Sequence, residues 1–166
     1  MILFGIDPGT SITGFGVIRV DGNCICWVDC GVIRTEAKQP LPDKLACIYE
    51  GLIDKMRQHR PDRVCVEEAF YAKNVHTTLM LGQARGVALL AAVQSGAAVA
   101  EYSPREIKKS VVGNGNAEKS QVEFMIKALL CLGGESYPAD AYDALAAAVC
   151  DFRHIAFSRI VGAKER

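Results

Sequence analysis

The sequence predicts one α/β domain with a mixed sheet and helices on both faces. Three observations carry this. An apolar run, Ile2–Ile6, closes on Asp7-Pro8-Gly9, as a buried strand closes on a tight turn. Two more strand-like runs flank Asp21-Gly22, a dipeptide that favours a two-residue hairpin. Beyond Pro42, helical and strand periodicities alternate, the pattern of crossover connections. The chain has 166 residues, half of them hydrophobic, which suffices for one sizeable core and excludes a disordered chain.

Taken in order, residues 2–6, 14–20 and 24–34 form an opening meander of three strands. Pro40 and Pro42 break it. Leu45, Ile48, Tyr49, Leu52, Ile53 and Met56 recur at helical spacing and predict a helix with one buried face, stopped by Pro61. Arg63–Glu67 is a fourth strand and, like the first, ends on a carboxylate. A helix then opens at Lys73–Asn74 and runs to about Gln94. Its middle, Leu81–Val93, is apolar nearly all round, with Gly82 and Gly86 one turn apart; this predicts a buried helix packed closely on a neighbour. Ala97–Tyr102 is a fifth strand. Ser103 and Pro104 suit the N-cap and first position of a short helix. After the loop Gly113–Asn116, Ala117–Leu130 reads as a helix with Val122, Met125, Ile126 and Leu129 inward. Pro138 to about Phe152 is a last, Ala-rich helix. The domain spans residues 1–155, and residues 156–166 are expected to be a frayed tail.

Composition excludes several classes. No apolar run reaches the roughly 18 residues of a membrane span, and the N-terminus lacks an export signal, so a cytoplasmic protein is expected. The seven cysteines are odd in number; Cys24, Cys26 and Cys30 form their only cluster and contain no Cys-x-x-Cys pair. They read as small buried thiols rather than a zinc site. His59, His76 and His154 are scattered without ligand spacing. The formal net charge is zero, which gives no global pull towards nucleic acid. The distribution is uneven: residues 71–127 carry seven Lys or Arg against four Glu, whereas residues 128–151 carry four acids and no Lys or Arg.

The candidate chemistry lies in four acids. Asp7 and Glu67 each end a strand, and adjacent parallel strands would bring them together at a sheet edge where sites form. Asp140 and Asp143, three apart near a helix start, share one helix face. Acids in a first helical turn are also favoured by the helix dipole alone, so the reading rests on all four. Together they form an oxygen-only donor set suited to hard divalent cations, and two such ions can drive phosphodiester hydrolysis. The residues therefore read as a metal-dependent nuclease site. Glu68 competes with Glu67, but alternation along a strand lets only one of them face the site.

Longer motifs go further. Gly5-Ile-Asp-Pro-Gly-Thr with Gly14-Phe-Gly-Val, Val66-Glu-Glu-Ala-Phe-Tyr-Ala-Lys-Asn74, Leu81-Gly-Gln-Ala-Arg-Gly-Val87, Val111-Val-Gly-Asn-Gly-Asn-Ala-Glu-Lys-Ser-Gln-Val122 and Ala139-Asp-Ala-Tyr-Asp-Ala-Leu145 occur in the order of the RuvC family. In this the sequence strongly resembles the bacterial Holliday-junction resolvases over residues 2–150. The resemblance implies a ribonuclease-H-like fold with a mixed five-stranded sheet. It implies a homodimer that nicks two strands of a four-way DNA junction symmetrically, using two Mg²⁺ ions per site, for which Mn²⁺ can substitute. It also implies a partnership with the RuvA–RuvB branch-migration complex. Carried over by motif, the catalytic and metal-binding acids fall on Asp7, Glu67, Asp140 and Asp143.

The same resemblance places a base-contacting aromatic at Phe70 and functional lysines at Lys108 and Lys119. Tyr71 is either core or a second base contact, since an exposed aromatic beside such a site can stack on unpaired bases. Lys73 and Lys109 are further candidate phosphate contacts. The loop Gly113–Asn116 precedes a helix start and could offer backbone N–H groups to phosphate. Arg85, inside the apolar helix, reads as support for the structure or the dimer rather than as a DNA contact. The rival readings are an actin-like phosphotransferase, which needs a second domain, a junction-binding scaffold, and a ribonuclease-H-like nuclease for linear or hybrid substrates.

Overall fold

The computed structural model describes residues 1–68, 74–134 and 136–164, with side chains as far as residue 158. Strands β1 (Ile2–Asp7), β2 (Ile12–Asp21) and β3 (Cys24–Arg34) form the meander. Helix α1 (Leu41–His59), strand β4 (Arg63–Glu67), helix α2 (Val75–Gln94) and strand β5 (Ala98–Tyr102) follow. Helices α3 (Pro104–Val112), α4 (Lys119–Leu129) and α5 (Ala139–Lys164) complete the chain. The five strands lie in the order β3-β2-β1-β4-β5. The meander is antiparallel, whereas β4 and β5 run parallel to β1. The predicted mixed sheet is therefore present.

Alternation along the strands splits the core in two. Phe4, Ile6, Phe15, Val17, Val64 and Val66 face α1 and α2. Leu3, Ile18, Val20 and Cys65 face α3, α4 and α5. Helix α5 lies directly on sheet backbone at paired residues Gly5 and Gly16. A Cβ at Gly5 would fall 1.9 Å from the Ala144 carbonyl oxygen, and one at Gly16 2.6 Å from the Leu145 nitrogen. Small residues on both sides allow this contact: Ala141, Ala144, Ala146, Ala147 and Ala148 are all fully buried. Farther along, fully buried Asp151 accepts two 2.8 Å hydrogen bonds from the Arg63 guanidinium and one of 2.8 Å from the Tyr102 hydroxyl. That clamp ties α5 to β4 and β5.

The helix caps form as the sequence predicts. Ser103 and Glu106 make a reciprocal capping box at α3, with Pro104 in the first turn, and the Asn74 side chain accepts the Thr77 N–H at α2. Three expectations need correction. Gly82 and Gly86 meet no neighbour; α2 buries only its alanine side, Ala84, Ala88, Ala91 and Ala92. Cys24 and Cys26 are exposed, and only Cys30 of that cluster is buried, because β3 is an edge strand with little packed on its outer half. Helix α5 continues past Phe152 to Lys164, so residue 156, where the tail was expected, lies inside the helix.

Candidate active site

Asp7 and Glu67 end adjacent parallel strands, where Ile6 pairs with Val66. By alternation, Asp7 continues the Leu3–Gly5 series and Glu67 the Cys65 series, so both carboxylates face α5. Glu68 is out of phase, and its N–H donates to the Tyr102 carbonyl at 2.9 Å. The pleat itself thus selects Glu67. Helix α5 brings Asp143 to the same place. Asp7, Glu67 and Asp143 line one hollow of about 150 Å³, with Lys108 from α3 and Lys119 from α4. Ile107, Val122 and Ala146 form its apolar floor.

Asp140 stands at the rim, one turn before Asp143. It does not line the hollow, yet its charge acts on Asp7. The Lys119 ammonium donates to Asp143 Oδ2 at 2.5 Å, and that bond raises its pKa above the ordinary lysine value. Burial, then the charges of Asp143 and Asp140, push the Asp7 carboxyl up to about 7 against the pull of Lys119. Burial, then Asp7 and Asp143, push Glu67 up to about 8. These acids crowd negative charge more than the two lysines offset. Among the described residues, no three His, Cys, Asp or Glu side chains stand close enough to hold an ion as they are oriented; Lys119 occupies one oxygen of Asp143. The donor set nevertheless fits a hard divalent cation: oxygen ligands only, excess negative charge, and rigid strand tips beneath.

Not every predicted contact gathers here. Lys109 is exposed and lines a different hollow, with Glu106, Arg153 and Phe157, because it follows Lys108 by one position and so leaves the helix on another side. Two amides of the loop Gly113–Asn116 are already taken: the Gly113 N–H donates to Lys109 O at the end of α3 at 2.9 Å and the Asn116 N–H to Asn114 Oδ1 at 3.0 Å. Acidic Glu118 then caps α4, which opposes phosphate there. Phe70, Tyr71 and Lys73 lie outside the described residues. Arg85 pairs with Glu101 of β5, joining α2 to the sheet edge. Sequence reasoning missed Thr13. It is fully buried; its hydroxyl donates to Gly9 O at 2.7 Å and accepts the Gly9 N–H at 3.3 Å, locking the turn behind Asp7. The available signal was a threonine at the inward phase of a strand.

Sheet order, the single long helix laid across it and an acid-lined hollow at the tips of two parallel strands define the ribonuclease-H-like class. The family model "Crossover junction endodeoxyribonuclease RuvC" matches residues 3–151. The crossover junction endodeoxyribonuclease RuvC of Pelotomaculum thermopropionicum is 45% identical over 159 residues, covering 96% of this chain and 97% of that protein. The solved structure of Thermus thermophilus RuvC superposes with a TM-score of 0.83 at 30% identity, covering 93% of this chain and 95% of that one. T. thermophilus RuvC in complex with Holliday junction substrate also gives 0.83 at 30% identity, covering 90% and 92%. The chain belongs to the RuvC family.

Proposed function

We propose that the protein is a metal-dependent Holliday-junction resolvase that nicks two strands of a four-way DNA junction symmetrically. The observation that carries this is the convergence of Asp7, Glu67 and Asp143, from three separate elements, on one hollow flanked by Lys108 and Lys119. Family membership and the junction-bound Thermus relative support the substrate.

Asp7, Glu67, Asp143 and, from the rim, Asp140 would hold two divalent ions, Mg²⁺ or in its place Mn²⁺. Such ions supply activation of a water and stabilisation of the leaving oxygen in phosphodiester hydrolysis. The protein's own contribution is position and charge. The two strand tips fix Asp7 and Glu67, and Thr13 holds the turn behind Asp7. With their pKa values raised by burial and mutual repulsion, both carboxyls would have to be deprotonated to hold a cation, which would couple binding to pH. Exposed Lys119 exchanges Asp143 for a phosphate oxygen, and Lys108 faces the same hollow from α3. The family resemblance assigns Phe70 as a stacking contact for an unpaired base, and Tyr71 and Lys73 as further candidate DNA contacts. As DNA is the substrate, the assigned compartment is the cytoplasm; among the described residues no helix is long and apolar enough to cross a membrane.

Two symmetric cuts need two sites related by a two-fold axis. Helix α2 carries the surface for a second copy. Val75, Leu79, Leu90 and Val93 are 67, 64, 52 and 63% exposed. With Gly82 and Gly86 they follow helical spacing along one stripe, opposite the buried alanines. The bare glycines allow close approach of another backbone. The decisive experiment is Mg²⁺-dependent cleavage of a mobile four-way junction beside a linear duplex and an RNA–DNA hybrid. Paired symmetric nicks confined to the junction are expected; cutting of the duplex or hybrid instead overturns the substrate assignment.

A further inference from the structure

We infer that Gly14 is a positioning residue for the acidic site: its missing side chain sets how closely Asp140 and Asp143 approach Asp7. The inference rests on the metal-site reading above and deepens it. In the β1–β2 ladder Gly14 is the direct partner of Asp7. A Cβ at Gly14 would fall 2.0 Å from the Asp140 carbonyl oxygen, 2.5 Å from its carbonyl carbon and 3.2 Å from its Cβ. All three contacts belong to one residue, and all are backbone or the root of the side chain. No change of rotamer can relieve them, so any side chain at position 14 must lift the first turn of α5 away from the sheet.

The displacement needed to restore ordinary van der Waals separation is about 1.5 Å. Misplacement of reacting groups by about 1 Å already costs about 10²-fold in rate. Asp143 lies one turn on and moves with Asp140. The body of α5 rests elsewhere, with Gly5 under Ala144 and Ala148 and Gly16 under Leu145. Its attachment is reinforced by the Arg63–Asp151 clamp. The three glycines therefore divide their roles. Gly5 and Gly16 seat the helix in the core, whereas the three atoms nearest a Cβ at Gly14 all belong to Asp140, and its effect appears in the spacing of acids on different elements.

The test uses Mn²⁺ alone as the binding probe, titrated calorimetrically into the full chain, alongside junction cleavage as a function of Mn²⁺. Wild type, Asp7→Asn, Asp140→Glu, Gly14→Ala, Gly16→Ala and Gly14→Ala/Asp140→Glu are compared. Gly14→Ala is expected to melt cooperatively and to bind the junction normally without divalent ions, while its half-saturating Mn²⁺ rises at least about tenfold. Adding Asp140→Glu, one methylene longer, is expected to recover much of that loss; the same change in the wild-type background weakens binding. Wild-type Mn²⁺ dependence in Gly14→Ala overturns the inference and leaves the metal site standing. So does an equal loss in Gly16→Ala, no recovery in the double variant, or a Gly14→Ala chain that does not melt cooperatively, since each assigns the contact to the core. Identical Mn²⁺ titrations of wild type and Asp7→Asn overturn the metal site and this inference together.

Discussion

At the scale of single residues, the site stores charge that the folded protein tolerates poorly without a cation. Asp7 and Glu67 have pKa values near 7 and 8, against ordinary values of 3.8 and 4.5. Between about pH 4 and pH 8 the folded chain therefore binds more protons than the unfolded one, so its stability falls as pH rises through that window. The melting temperature measured in chelator should decline over that range, and Asp7→Asn should flatten the slope and raise the value at pH 8. The same variant should abolish cleavage while junction binding persists; undiminished cutting would remove Asp7 from the site. Lys119→Met should lower kcat by about 10²-fold, read in single-turnover cleavage. Much of this site was legible in sequence because its acids end apolar runs or sit at helical spacing. The choice of Glu67 over Glu68 could be narrowed to one by alternation, but the phase relative to α5 needed the packed helix. Lys109 follows Lys108 by one position, leaves α3 on another side and lines a different hollow, so it stands as a candidate phosphate contact away from the acids. Thr13 was missed because a buried hydroxyl looks, in a strand, like any β-former.

Among the elements, α2 best separates pattern from environment. Its apolar circumference predicted burial, yet the chain itself covers only the alanine side, and Val75, Leu79, Leu90 and Val93 remain open. Hydropathy reports that a face avoids water, not which molecule covers it. Leu79→Glu should leave the monomer folded and shift the protein from dimer to monomer in sedimentation, with loss of paired nicks. A monomeric wild type would remove α2 as the dimer surface. Strand and helix order, caps and the short α3 were all readable because local chemistry sets them. The length of α5 was not, because the apolar residues beyond Phe152 read as scattered in sequence, whereas Ile155 packs against the core and the helix runs on to Lys164. Its anchor is fully buried Asp151, which looks like a surface acid in sequence. Arg63→Met leaves that carboxylate with Tyr102 alone and should cost about 3 kcal/mol of stability, measurable by denaturant unfolding.

For the whole molecule, the proposed function assigns one acidic hollow and one cut to each chain, so that resolution would be a property of a pair. A mixed dimer of wild type and Asp7→Asn should nick one strand and leave the junction unresolved, visible on denaturing gels as singly cut product. Equal cutting of both strands by the mixed dimer would mean that a single site serves twice. The placement of α5 has a consequence for biosynthesis. The opening strands are made well before the helix that covers one side of them and carries Asp140 and Asp143. The contact between Arg63 and Asp151 spans 88 positions, a non-local closure that slows folding. Until α5 leaves the ribosome, the nascent chain holds an uncovered sheet and two of the four candidate acids. On the proposed function, the site and one layer of the hydrophobic core would therefore be completed in the same step, and a chain truncated before α5 is expected to lack both.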